Sequence, residues 1–200
     1  MKHRGMHRYD SEGRDRDIES YIFETLKWSM NCIYSSHLPD TSEMCFVDVG
    51  CDYGYAMNEA EQYFASVWGL EPNRPEKVPV DFEYLQNQVE YTTIESSQLS
   101  FGDKPRIYFL NHVLEHFEAP IPALRKIMSD PLFAGMLIAT PDALADTDDF
   151  VYRDSHLSVF TEKWHKLVGS RITPSVRLIA TSIKTLRDDK REVWAFYAKE

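Results

Sequence analysis

Three groups of residues in this chain are equipped for chemistry. The first is the run Val47-Asp48-Val49-Gly50-Cys51-Asp52-Tyr53-Gly54-Tyr55. Its glycines permit a tight turn and let a ligand touch the backbone, while Asp48 and Asp52 flank the turn with negative charge. The second is Glu71, which closes the apolar run Val67-Trp68-Gly69-Leu70 about 20 residues further on. An acid there can accept both hydroxyls of a ribose. The third is a set of histidines, His112, His116 and His156. Histidine as a residue type suits a base for a hydroxyl or an amine, although each has an ordinary reading as a structural hydrogen-bonding group.

The loop discriminates among ligands. A dinucleotide fingerprint, Gly-x-Gly-x-x-Gly, needs glycine where Asp52 and Tyr55 stand, and a phosphate-binding P-loop needs Gly-Lys-Ser/Thr, which is absent. Asp48 and Asp52 also repel a pyrophosphate. S-adenosylmethionine (SAM), with its sulfonium and ammonium, tolerates acids near its methionine end. Cys51 and Gly54 complete the loop against such a ligand.

These residues need elements to place them. Ile18, Tyr21, Ile22 and Leu26 recur at helical spacing, which predicts an amphipathic helix over about 17–33. Cys45–Val49 reads as a buried strand that ends in the glycine loop. Ala60, Tyr63, Phe64 and Val67 predict a helix after the loop, and Val67–Leu70 a second strand stopped by Glu71-Pro72-Asn73. The proline-rich stretch 74–82 reads as a loop. Val89–Ile94, Arg106–Leu110 and Gly135–Thr140 are three further strands, with a helix over Ile121 to Met128 between the last two. Thr161 is the expected N-cap of a helix running to Val168. Val176–Ile183 and Glu192–Ala198, joined by the polar Leu186-Arg187-Asp188-Asp189-Lys190, read as an antiparallel hairpin. Strands alternating with helices predict a doubly wound, mostly parallel α/β sheet. In such a sheet a ligand lies beyond the carboxyl ends of the strands, where the three groups fall.

Several of these segments resemble one family. The 47–55 run resembles the first motif of class I SAM-dependent methyltransferases, Asp/Glu-x-Gly-x-Gly-x-Gly, with Asp52 in place of the middle glycine. Gly69-Leu70-Glu71-Pro72-Asn73 resembles the motif whose acid binds ribose. Glu95 falls where the family often has an acid near the adenine amine. Asn111-His112-Val113-Leu114-Glu115-His116 resembles a segment of the quinone-biosynthesis-type small-molecule branch, and His156-Leu157-Ser158-Val159-Phe160-Thr161 resembles a late helix start of that branch. The resemblance spans about 43–198. It implies a seven-stranded Rossmann-like sheet in which a C-terminal hairpin adds one antiparallel strand. It also implies SAM as cofactor and S-adenosylhomocysteine (SAH) as product, bound by Asp48, Gly50, Cys51, Asp52, Gly54, Glu71, Pro72, Glu95 and Asn111. His112, His116 and His156 are then the candidate catalytic groups.

Composition sets the boundaries. With 43% hydrophobic and 27% charged residues, the 200-residue chain has the make-up of one soluble globular domain. Residues 1–16 are expected to be mobile, and 17–200 to form a single domain. The net charge of −10 disfavours nucleic acid as a partner, because phosphate binding needs basic surface. No apolar run reaches the roughly 20 residues of a membrane span. Cys32, Cys45 and Cys51 fit reduced thiols in a cytoplasm, and the acidic cluster Asp146–Asp149 reads as a solvated loop. No metal centre is expected. The partner expected is a small-molecule acceptor, methylated at oxygen or nitrogen. The alternatives are a non-catalytic scaffold of the same fold, motivated by Asp52, and an RNA or protein methyltransferase.

Overall fold

A computed structural model describes residues 16–144, 156–185 and 190–200. Seven strands form one sheet: β1 (Cys45–Val49), β2 (Ser66–Leu70), β3 (Val89–Glu90), β4 (Arg106–Asn111), β5 (Phe133–Pro141), β6 (Val176–Thr185) and β7 (Arg191–Lys199). Their spatial order is β3-β2-β1-β4-β5-β7-β6. β1 to β5 pair in parallel, whereas β7 runs antiparallel to both β5 and β6. The expected mixed sheet with a single antiparallel strand is what forms. The order reverses between β1 and β4, so the ends of these two strands bound the crevice where an open sheet takes its ligand.

The helices are α1 (Arg16–Ser35), α2 (Tyr55–Ala60), α3 (Pro120–Met128) and α4 (Glu162–Ile172). Strand pleating sends alternate residues to opposite layers. Phe46 packs with Ile22, Leu26, Ile33, Met57 and Phe64 on the α1–α2 face. Its neighbours Cys45 and Val47 pack with Leu124, Ile127 and Tyr197 on the other face. Both faces are covered, which explains why β1, β4 and β5 read as unbroken apolar runs.

Two sequence expectations shift. The helix after the glycine loop occupies Tyr55–Ala60, earlier than the 60–67 periodicity implied. The chain turns at Ala60, whose carbonyl accepts from both Tyr63 and Phe64, and Val67 belongs to β2. The third strand is only Val89–Glu90, because Thr92 N–H folds back onto the Glu90 carbonyl and a further turn follows at Thr93. The stretch 80–88, expected within and beyond a loop, is a 3-10 helix. Thr161 caps α4 as expected, its hydroxyl accepting from Trp164 N–H at 3.1 Å. The N-terminal stretch before Arg16, the acids Asp146, Asp148 and Asp149, and the turn 186–189 lie outside the described residues.

Arg106 opens β4 at the end of the sheet away from the crevice. It is buried and forms a 2.8 Å ion pair with Asp130, and it also donates to the carbonyls of Leu99 and Gly102. Tyr108 donates to the same Asp130 carboxylate at 2.6 Å. This cluster locks the base of β4, so the strand's other end is held rigidly at the crevice.

Candidate functional site

The loop after β1 is shaped by its backbone. Gly50, Asp52 and Gly54 have φ of 77°, 48° and 99°. Asp is among the few side-chain-bearing residues that enter this left-handed region at moderate cost, which lets Asp52 stand where a glycine is usual. Its side chain is exposed. At Gly50 space matters as well as angle: a Cβ there would meet Val113 Cγ2 at 2.4 Å. Gly69 of β2 is just as tight, since a Cβ would meet Cys51 Sγ at 2.5 Å and Met57 Sδ at 2.7 Å. The amides of Gly50 and Cys51 both donate to the Leu70 carbonyl, at 2.7 and 3.1 Å. The two strand ends are thereby joined, and Glu71 follows directly.

Glu71 is anchored at both carboxylate oxygens. Oε2 accepts from Asp52 N–H at 3.2 Å and Oε1 from Asn73 N–H at 2.9 Å. Pro72 is exposed beside it. Asp48 is buried beneath the loop. Burial pushes its carboxyl well above the usual range, and the charges of Glu71 and Asp52 push the same way. Burial with the same acids also raises the Cys51 thiol, so it is no thiolate nucleophile. Three acids around one loop disfavour an anion and favour a cationic ligand. Tyr55 packs against Phe82 at 4.8 Å, and Tyr53 against Tyr55. Glu95 lies exposed on the turn after β3, its carbonyl accepting from Lys126 Nζ at 2.6 Å.

Across the crevice, Asn111 ends β4 and His112 follows with φ of 53°. The His112 ring lies between two carboxylates. Nδ1 is 3.2 Å from Glu115 Oε1 and Nε2 is 2.5 Å from Glu192 Oε1. Carboxylate oxygens only accept, so both ring nitrogens donate and the ring is an imidazolium. Burial opposes that charge, but the Glu192 carboxylate and the hydrogen bonds to Glu115 and Glu192 prevail and push it up to about 10. Glu192 opens the buried face of β7. Its Oε2 accepts from Trp194 Nε1 at 2.9 Å and lies 2.8 Å from the Tyr21 hydroxyl. The same hydroxyl is 2.9 Å from Asn111 Oδ1. Thus α1, β4 and β7 meet in one polar network at the crevice wall.

His116 and His156 lie further out. Their rings are 5.0 Å apart at 70°. Leu157 and Ser158 donate their amides to the Glu115 carbonyl, which fastens the segment carrying His156 to the 3-10 turn Leu114–His116.

The structure therefore gathers Asp48, Gly50, Cys51, Asp52, Gly54 and Glu71 on one side of the crevice. Asn111, His112, His116 and His156 stand on the other side, with Glu95 out on its separate turn. Sequence reasoning missed Tyr21, Glu115 as a His112 partner, and Glu192. A signal existed for the last: an acid inside the apolar run Glu192-Val193-Trp194-Ala195-Phe196 calls for a buried partner.

Among curated proteins no sequence matches this chain. Several solved structures share its fold at low identity. The plantazolicin methyltransferase BpumL in complex with SAH superposes with a TM-score of 0.65 at 10% identity, over 92% of this chain and 86% of that one. Magnesium protoporphyrin IX methyltransferase from Synechocystis PCC 6803 with bound SAM gives 0.61 at 13%, over 98% and 87%. The 1,6-didemethyltoxoflavin-N1-methyltransferase of Burkholderia thailandensis, with its substrate and SAH, gives 0.64 at 12%, over 92% and 81%. The model of a methyltransferase-domain family matches residues 31–168, which span the glycine loop, Glu71, the β4 end and the start of α4. By fold, strand order and this match, the chain belongs to the methyltransferase-domain family.

Proposed function

We propose that the protein transfers a methyl group from SAM to an oxygen or nitrogen of a small molecule. The observation that carries this reading is the ring of Asp48, Asp52 and Glu71 around the left-handed loop Gly50–Gly54. It suits a cationic nucleoside and repels a pyrophosphate. Glu71 is pre-positioned for the ribose hydroxyls by the amides of Asp52 and Asn73. Gly50, Cys51, Asp52 and Gly54 would line the methionine end, Pro72 and Glu95 the adenine side, and Asn111 the crevice wall beside the methyl.

The sulfonium already activates the methyl, so SAM supplies the chemistry and the protein supplies alignment. A base is needed only where the acceptor must lose its proton early. His112 is ill suited to that task because both its nitrogens already donate. We assign it a positioning role, and assign proton acceptance to His116 or His156. The net charge of −10 favours a small acceptor over a polynucleotide. We place 17–200 in one catalytic domain that works in the cytoplasm. Its three cysteines are free and buried, and among the described residues no helix is long and apolar enough to cross a membrane.

The test is calorimetric titration with SAM and SAH, with NAD as control, followed by detection of SAH from a panel of hydroxyl and amine acceptors. Micromolar SAH binding with turnover on any acceptor upholds the proposal. Absence of SAH binding overturns it. Tight SAH binding with no turnover on a broad panel shifts the reading to a non-catalytic scaffold.

A further inference from the structure

Glu115, His116 and His156 are brought together by the fold in a way their sequence positions do not announce. One ligand-capable atom from each lies within 4.8 Å of the others. The cluster is built, because the amides of Leu157 and Ser158 clamp the His156 segment to the Glu115 carbonyl at 2.7 and 3.2 Å. A second observation points to a ligand. Glu115 is 1% exposed, and only one of its carboxylate oxygens, Oε1, faces His112. Its Oε2 is buried with no hydrogen-bond partner among the described residues. A buried oxygen left without a donor is costly, and a bound cation relieves that cost.

We propose that Glu115, His116 and His156 form a divalent transition-metal site that presents the oxygen of a hydroxyl-bearing acceptor to the methyl donor. Two imidazoles and one carboxylate suit zinc or manganese and leave coordination positions open. Bonds of about 2.0–2.2 Å need ligand atoms about 3–3.5 Å apart. Closing to that spacing requires rotation of the exposed His116 and half-buried His156 side chains. His112 is not part of the set, since both its nitrogens face carboxylates.

The role assigned to the ion rests on the methyl-transfer reading. A hydroxyl bound to the metal loses its proton more readily. With His116 and His156 engaged as ligands instead of as bases, that proton passes to water, and the ion takes over the proton-releasing role assigned above to these histidines. The oxygen lone pair then forms the O–CH3 bond as the C–S bond of the sulfonium breaks. The bonding electrons stay on sulfur, and SAH leaves. The site therefore selects oxygen acceptors over amines.

The experiment titrates chelator-treated protein with Zn2+, Mn2+ and Mg2+, each alone, and separately with SAH. The expected result is one Zn2+ or Mn2+ per chain at micromolar affinity, with Mg2+ weaker. His116→Ala and His156→Ala should each weaken binding by about 10-fold or more. SAH affinity in both variants should stay within about twofold of the parent, because neither histidine lies at the glycine loop, and this also shows that the variants fold. Unchanged metal affinity in both variants overturns the site, as does the lack of a one-to-one site for Zn2+ and Mn2+. Metal binding without SAH binding would leave the site standing and remove the methyl-transfer reading. SAH binding without metal binding would do the reverse.

Discussion

The two walls of the crevice are built on different principles. The β1–β2 wall is made of backbone: left-handed residues, amides shared with the Leu70 carbonyl, and one acid held by two N–H groups. The β4–β7 wall is made of buried side-chain charge: an imidazolium between two carboxylates, with Tyr21 and Trp194 attached. Groups of the first kind follow from local sequence. Groups of the second kind come from remote parts of the chain, Tyr21 and Glu192 being 171 positions apart. The first wall is held together by backbone hydrogen bonds. The second should lose stability when one charge is removed, because its two carboxylates are buried and depend on the partly exposed His112 between them.

That contrast orders the tests. Replacing Glu192 with Gln leaves the His112 cation short of a carboxylate and should cost about 3–5 kcal/mol in denaturant-induced unfolding. A loss under about 1 kcal/mol would show that the network does not hold the wall. Gly50→Ala combines a positive φ with the Val113 contact and should cost about 1–3 kcal/mol of stability and most of the SAH affinity. Retained SAH affinity would show that the backbone does not form that wall.

Glu71→Ala should weaken SAH binding by about 1–3 kcal/mol in calorimetry while leaving the unfolding midpoint nearly unchanged. The smallest effect is one of sign. Asp48 has a raised carboxyl pKa, so its ionised form opposes folding once pH rises through that range. Asp48→Asn should therefore stabilise the protein at neutral pH by on the order of 1 kcal/mol, and weaken binding of cationic SAM more than of SAH. Glu192 has a lowered pKa, so its contribution is present above the unfolded value and is lost as pH falls through the folded one. Unfolding curves of the two variants across pH 3–8 should diverge in opposite directions from the parent. Parallel curves would erase the distinction between the walls.

The same contrast explains what the sequence disclosed. β1, β4 and β5 were legible because strands covered on both faces are mostly apolar, with Asp48 and Arg106 as buried exceptions. The glycine loop and Glu71 were legible because backbone conformation restricts residue type. The α2 boundary was not, since Tyr63 and Phe64 mimic helical spacing while packing from a turn. The edge strand β3 was overread because β-branched residues favour pleated backbone even where a turn wins. His112 was visible as a histidine, but its two carboxylate partners were not. One of them sits three residues away on a 3-10 turn and the other on the last strand. Tyr21 read as one more apolar position of an amphipathic helix, although its hydroxyl ties that helix to the site.

Val113 joins the two walls. Its side chain fills the space that a Cβ on Gly50 would claim, and its backbone follows directly after His112. The glycine loop therefore cannot shift without pressing on the segment that holds His112 and Glu115. On the proposed methyl-transfer reading the consequence is kinetic: the two substrates should bind in a compulsory order, with the nucleoside entering first and leaving last.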